Sequence, residues 1–139
     1  MLKRIDHIAI AVKSLDEALA TFKQLIDAGV GEITIEDVPS QQVRVAFLRI
    51  GDTKIEFLEA TSAESTVAKF IEKRGEGLHH LAFETDDIYA EVKDVAARGF
   101  EPLNAPRLGA EHKLVSFLNP KQTNRVLIEL VGEDKSKSP

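Results

Sequence analysis

The 139-residue chain predicts an α+β fold made of two βαβββ repeats that form a half-open mixed-sheet barrel. Three observations lead there. The phrase Asp6-His7-Ile8-Ala9-Ile10 has a counterpart in His79-His80-Leu81-Ala82-Phe83, and Lys54-Ile55-Glu56-Phe57-Leu58 has one in Leu127-Ile128-Glu129-Leu130-Val131; both pairs are 73 residues apart. A histidine and a glutamate therefore stand 49 residues apart in each half. Each half also orders its patterns as strand, helix and three strands, with a glycine (Gly29, then Gly99) closing the helical stretch. The expected division is a first module at residues 1–60, a bridging helix at 61–77 and a second module at 78–132. Residues 133–139 have no apolar side chain and are expected to form a disordered tail.

In the first half, Ile5 to Val12 is rich in β-branched residues and reads as a strand. Ser14 with Glu17 is a capping-box pattern, and Leu15, Ala18, Leu19, Phe22, Leu25 and Ile26 continue it with helical spacing. Ile33 to Val38 alternates as a strand, Pro39 to Gln42 is a turn, and Val43 to Ile50 is the next strand. Gly51-Asp52 signals a hairpin into Lys54 to Glu59. That last strand sets Ile55 and Phe57 on one face and Lys54, Glu56 and Leu58 on the other.

The bridging stretch spaces Ser65, Val67, Ala68, Phe70 and Ile71 as a helix that Gly75 and Gly77 end. Lys69, Lys73 and Arg74 form its solvated face. Leu78 to Thr85 is then a strand, Asp86 or Asp87 caps a helix from Ile88 to Arg98, and Phe100 to Leu103 is a strand. Pro106 to Glu111 is a loop, Lys113 to Leu118 a strand, Asn119 to Asn124 a turn, and Val126 to Val131 the last strand. The repeat is not a rigid copy, because Gly29 to Gly99 and Leu48 to Leu118 are offset by 70 rather than 73.

Composition narrows the function. Without cysteine, disulfides and thiolate metal sites are excluded, so any metal is held by nitrogen and oxygen. A net charge of −5 argues against nucleic-acid binding. No apolar run approaches the ~20 residues of a bilayer span, so no membrane partner is expected, and without a targeting pattern the expected location is the cytoplasm.

His7 and His80 open the first strand of each half, and Glu56 and Glu129 lie on the last. From equivalent strands all four would project into the shared cavity, as a site of two imidazoles and two carboxylates. That donor set suits a borderline divalent metal with open positions, and such a cation polarises carbonyl oxygens and stabilises an enolate beside them. His80 is in phase with His7; His79, its strand neighbour, faces the other way. His112 lies in a loop with no repeat partner.

These residues resemble the vicinal oxygen chelate superfamily and, within it, the methylmalonyl-CoA epimerase family. The likeness runs from Ile5 to Val131. It is most specific in Val43-Arg-Val-Ala-Phe-Leu48, Gly51-Asp-Thr-Lys-Ile-Glu56, Pro106-Arg-Leu-Gly-Ala110, Val126-Leu-Ile-Glu-Leu130 and above all Glu64 to His80. The resemblance implies a glyoxalase-like fold and metal ligands His7, Glu56, His80 and Glu129. It also implies Co2+ as the first-choice metal ahead of Ni2+, Mn2+ or Zn2+, an acyl-CoA substrate and a homodimer. The implied reaction is interconversion of the (R) and (S) epimers of methylmalonyl-CoA by proton transfer at C2. Glu129 is the first candidate base; Glu56 or a bound water is the second. Some relatives carry a glutamate at Val45, where this chain cannot transfer a proton. Gln42, Asn124 and Arg125 replace glycines common in the family, Asn119 replaces a histidine, and Lys113 matches a family lysine. Two alternatives remain: a glyoxalase I-type lactoylglutathione lyase, and a non-catalytic binding member.

Overall fold

The computed structural model describes residues 1–26 and 32–137. The helix stop expected at Gly29 lies outside them. Residues 7–79 form one compact unit, here the first; residues 1–6 and 80–139 form the second. The elements are β1 (Leu2–Ala11), α1 (Leu15–Ile26), β2 (Thr34–Val38), β3 (Val43–Ile50), β4 (Thr53–Ala60), α2 (Thr66–Arg74), β5 (Gly77–Thr85), α3 (Ile88–Ala97), β6 (Arg107–Leu108), β7 (Lys113–Leu118) and β8 (Ile128–Glu133). Strand order is β2-β3-β4-β1 in the first unit, to which β1 contributes residues 7–11, and β5-β8-β7-β6 in the second. This is the α+β plan of two βαβββ modules that the sequence predicts. No helix among the described residues is long and apolar enough to cross a membrane.

The first unit packs α1 on its sheet. Ser14 caps the helix, accepting the Glu17 N–H on Oγ at 3.2 Å, which satisfies one of the orphan donors of the first turn. From the sheet, Glu59 accepts the Leu15 N–H on Oε2 at 2.8 Å. A carboxylate there also complements the positive end of the helix dipole. Leu15, Leu19 and Val12 bury against Ala46, Leu48 and Phe57, with Phe22 and Ile26 beside them. Leu25, counted in the apolar stripe from sequence, is exposed instead: the sheet meets a narrower arc of the helix than the periodicity suggests. The bridging helix is capped by Ser65, whose Oγ accepts from Val67 N at 3.1 Å. It ends at Gly75, whose φ of 76° favours glycine.

In the second unit, Asp87 caps α3 by accepting from Ala90 N at 3.2 Å. Ile88, Val95, Leu114, Leu118 and Leu130 make its core, with Phe100 packed against them. At Gly132 an added Cβ would lie 3.0 Å from the Ile88 Cβ, so β8 passes α3 closely enough that a side chain there would need Ile88 to give way by a few tenths of an ångström.

Three sequence expectations shift here. The strand expected at Phe100 to Leu103 does not form; Pro102 makes a single bridge to Leu118, and proline has no N–H to continue a ladder. The pairing moves to Asn104 and to β6 in the expected loop. Asn104 Oδ1 accepts the Phe117 N–H at 3.0 Å, and the Asn104 carbonyl accepts from Ser116 Oγ at 2.7 Å. The last strand starts at Ile128 rather than Val126, after Asn124 and Arg125 at φ 57° and 66°. It then runs through Gly132, paired with Leu114, and Glu133, paired with Lys113. Within the expected tail, residues Lys135–Lys137 form a 3-10 turn, with Asp134 accepting from Ser136 Oγ at 2.6 Å.

Candidate functional site

The strand register builds the same small frame in each unit. On β4, Glu56 lies opposite Ala9 of β1 and opposite Phe47 of β3. On β8, Glu129 lies opposite Ala82 of β5 and opposite Phe117 of β7. Directly paired residues share a sheet face, so each carboxylate has a small neighbour on one side and an aromatic wall on the other. Both alanines are fully buried. Two residues before each alanine stands the histidine, on the same face by strand alternation.

The imidazole and carboxylate of each unit meet. In the first, His7 Nδ1 is 2.9 Å from Glu56 Oε2; in the second, His80 Nε2 is 3.6 Å from Glu129 Oε1. All four residues are buried, a rare state for glutamate unless it is paired or ligating. Phe117 holds the His80 ring edge-on, with centroids 5.3 Å apart. Helices lie on the opposite face, where Phe57 and Leu130 pack.

His79 turns away from His80 and packs on Phe70 of α2, with ring centroids 5.0 Å apart. Lys69, Lys73 and Arg74 are exposed. Lys113 is 3.8 Å from the buried Asp6 carboxylate, an ion pair within the second unit. Val45 is buried and offers no proton-transfer group. His112 does have a structural counterpart: it ends the turn before β7 at φ 57° as Gln42 ends the turn before β3 at φ 55°.

Reasoning from sequence missed two features. The phenylalanine walls were findable, since Phe47 and Phe117 share the 70-residue offset of Leu48 and Leu118. The burial of Lys54 had only its face as a signal. A cavity of about 640 Å³ in the second unit is lined by Phe83, Glu91, Val95, Ile128 and Leu130 among others. It opens on the α3 side of the sheet, and neither His80 nor Glu129 lines it. Two groups near α3 have displaced pKa values. A hydrogen bond to Glu91 raises that of the Met1 α-amino group, and a hydrogen bond from its own backbone lowers that of Asp86.

Residues 6–117 match the family model described as Glyoxalase/Bleomycin resistance protein/Dioxygenase superfamily. The chain belongs to that superfamily. Over 94% of its length and 98% of the relative, it is 38% identical to the ethylmalonyl-CoA/methylmalonyl-CoA epimerase of Cereibacter sphaeroides. It is 37% identical to the human mitochondrial methylmalonyl-CoA epimerase, over 93% of this chain and 73% of that one. A solved methylmalonyl-CoA epimerase in complex with methylmalonyl-CoA and NH4+ matches with a TM-score of 0.89 at 36% identity, covering 100% of both chains. The fold is therefore glyoxalase-like.

Proposed function

We propose that this chain is a metal-dependent epimerase that interconverts (R)- and (S)-methylmalonyl-CoA by removing and returning the C2 proton. The observation that carries the reading is the duplicated, buried imidazole–carboxylate pair, in a chain similar to methylmalonyl-CoA epimerases over most of its length. His7, Glu56, His80 and Glu129 would jointly hold one divalent ion. Their chemistry fits: two imidazoles and two carboxylates, with no thiolate, suit Co2+, Ni2+, Mn2+ or Zn2+. Co2+ is the first choice. Bound there, the ion supplies Lewis acidity toward the acyl oxygens and eases proton loss from the carbon between them.

The chain's own groups move the proton. Glu129 takes it from C2 on one face and Glu56 returns one on the other, with the roles exchanged for the opposite epimer. Phe47 and Phe117 wall the two carboxylates from water, which sharpens every electrostatic interaction within. Val45 cannot take part, so the second base falls to Glu56. The protein is expected to be a homodimer, readable by sedimentation, and to act on a soluble acyl-CoA in the cytoplasm.

Proton exchange is the test. Metal-loaded protein in heavy water should wash deuterium into C2 of methylmalonyl-CoA, and a chelator should stop it until metal is restored. Metal-loaded protein that exchanges nothing overturns the reading. Turnover of the methylglyoxal–glutathione hemithioacetal would make it a lactoylglutathione lyase, and tight acyl-CoA binding without exchange a non-catalytic member.

A further inference from the structure

We propose that Arg107 binds the phosphates of the coenzyme A tail, which passes out of the site over the β6 edge of the second unit; the idea rests on the functional reading above and names the part of the substrate that this edge recognises. Arg107 pairs with Val115, Val115 with Val131, and Val131 with Glu84. Paired residues share a face, so these four make one row across the second sheet. Val131 follows Glu129 by two residues, which puts the row on the face of the imidazole–carboxylate pair. Val115 and Val131 pack there with Ala82, the alanine beside Glu129. The row ends at Arg107, because β6 is the outer strand, and the side chain is exposed. Two strand spacings separate it from Glu129, roughly 10 Å, so its charge stands apart from the candidate metal donors.

The other charges on this face outside the site are engaged. Glu84 accepts from Arg4 Nε at 2.8 Å. Lys113 lies 3.8 Å from the Asp6 carboxylate and opposite Glu133. Arg107 has no hydrogen bond or ion pair with any described residue. An exposed arginine is often only solvated; the duplication gives this one more weight. The matching row of the first unit is Ala11, Leu58, Val45 and Glu36, with Val45 and Val115 at the 70-residue offset. One edge position therefore carries an anion in the first unit and a cation in the second. Coenzyme A holds a diphosphate and a ribose phosphate at the far end of its pantetheine arm, well away from the thioester. The net charge of −5 disfavours such a tail wherever no local cation offsets it. Glu36 adds to that repulsion at its edge, and Arg107 relieves it at the other. A guanidinium takes phosphate oxygens in a bidentate fork, and at an exposed edge it does so without a large desolvation cost.

The experiment compares methylmalonyl-CoA with methylmalonyl-pantetheine, which keeps the reacting end and lacks every phosphate. Deuterium uptake at C2 is read in metal-loaded wild type, Arg107→Met and Lys93→Met; the last removes an exposed cation from α3 instead. Arg107→Met should raise KM for methylmalonyl-CoA about three- to tenfold, the worth of an exposed charge-assisted contact, and leave KM for the pantetheine thioester within about twofold. Its kcat and bound metal should match wild type. Added salt should raise KM for methylmalonyl-CoA more steeply in wild type than in Arg107→Met, because ions screen an exposed contact. An unchanged KM for methylmalonyl-CoA in Arg107→Met overturns the assignment. So does an equal rise for the pantetheine thioester, an equal rise in Lys93→Met, or one salt dependence shared by both proteins. Wild type that exchanges neither thioester instead overturns the functional reading, so the two failures are distinct.

Discussion

In the first unit Glu59 reaches from β4 to the start of α1 and accepts the Leu15 N–H. At the matching place in the second unit stands Gly132, where an added Cβ would lie 3.0 Å from the Ile88 Cβ at the start of α3. Leu15 and Ile88 are themselves counterparts at the 73-residue offset. One sheet–helix junction is held by a charge at the helix end, the other by close packing. The edge strands differ likewise. Thr34 of β2 pairs with Phe47 in a regular ladder, while its counterpart Asn104 reaches Phe117 with a side-chain oxygen. Against this drift, the Ala–Glu–Phe register around Glu56 and Glu129 is the same in both units. Junctions and edges accept alternative solutions because many contacts can satisfy a backbone group. A carboxylate buried beside an imidazole accepts few.

The largest effect expected from breaking this comparison is at the carboxylates. Glu129→Gln should cut C2 deuterium exchange by about 10²–10⁴-fold, the usual worth of a general base. Glu56→Gln keeps an oxygen donor for the metal but carries no transferable proton, so it should cost about as much when exchange starts from the opposite epimer. Equal losses of both variants from one and the same epimer would erase the assignment of one base to each face.

At the junctions, Gly132→Ala should destabilise the protein by about 1–3 kcal/mol through overpacking against Ile88. Glu59→Gln should cost about 0.3–1 kcal/mol, because it removes a charge but leaves an acceptor at the helix end. Urea denaturation gives both values, and the contrast disappears if the glycine variant is the milder one. On the edge strands, Asn104→Ala should lose about 1–3 kcal/mol by stranding the Phe117 N–H. Thr34→Ala, at an exposed site, should stay within about 0.5 kcal/mol.

The smallest effect joins the halves again. Gln42 and His112 both adopt positive φ, 55° and 57°, where glycine has no steric cost. Gln42→Gly and His112→Gly should each stabilise by about 0.5–1 kcal/mol, seen as a small rise in Tm. A stabilisation at one site only would show that the shared turn is strained in one half alone.

The helices were the most legible part of the sequence. Ser14 and Asp87 announce two of their starts, and Gly75 and Gly99 their ends, because caps and stops depend on neighbours a few residues away. The recurrence of histidine and glutamate at one separation also marked the four candidate ligands before any geometry was known. The register was beyond reach, since it rests on pairings such as Ala9 with Glu56 and Ala82 with Glu129. These join residues nearly fifty positions apart, and no local pattern encodes them. Register alone makes Phe47 and Phe117 walls of the carboxylates. It also sets Lys54 beside His7, where a hydrophilic residue in an alternating strand would otherwise be read as solvent-facing. The displaced pairing at Asn104 and the exposure of Leu25 follow the same rule. Whether a backbone group finds a strand or a side chain, and how wide an arc of helix a sheet covers, are settled by what the rest of the chain brings alongside. Sequence determined the caps, the repeat and the chemical types available to a site; tertiary structure decided which of them are buried together, because burial and cross-strand pairing belong to the assembled sheet and not to any segment of it.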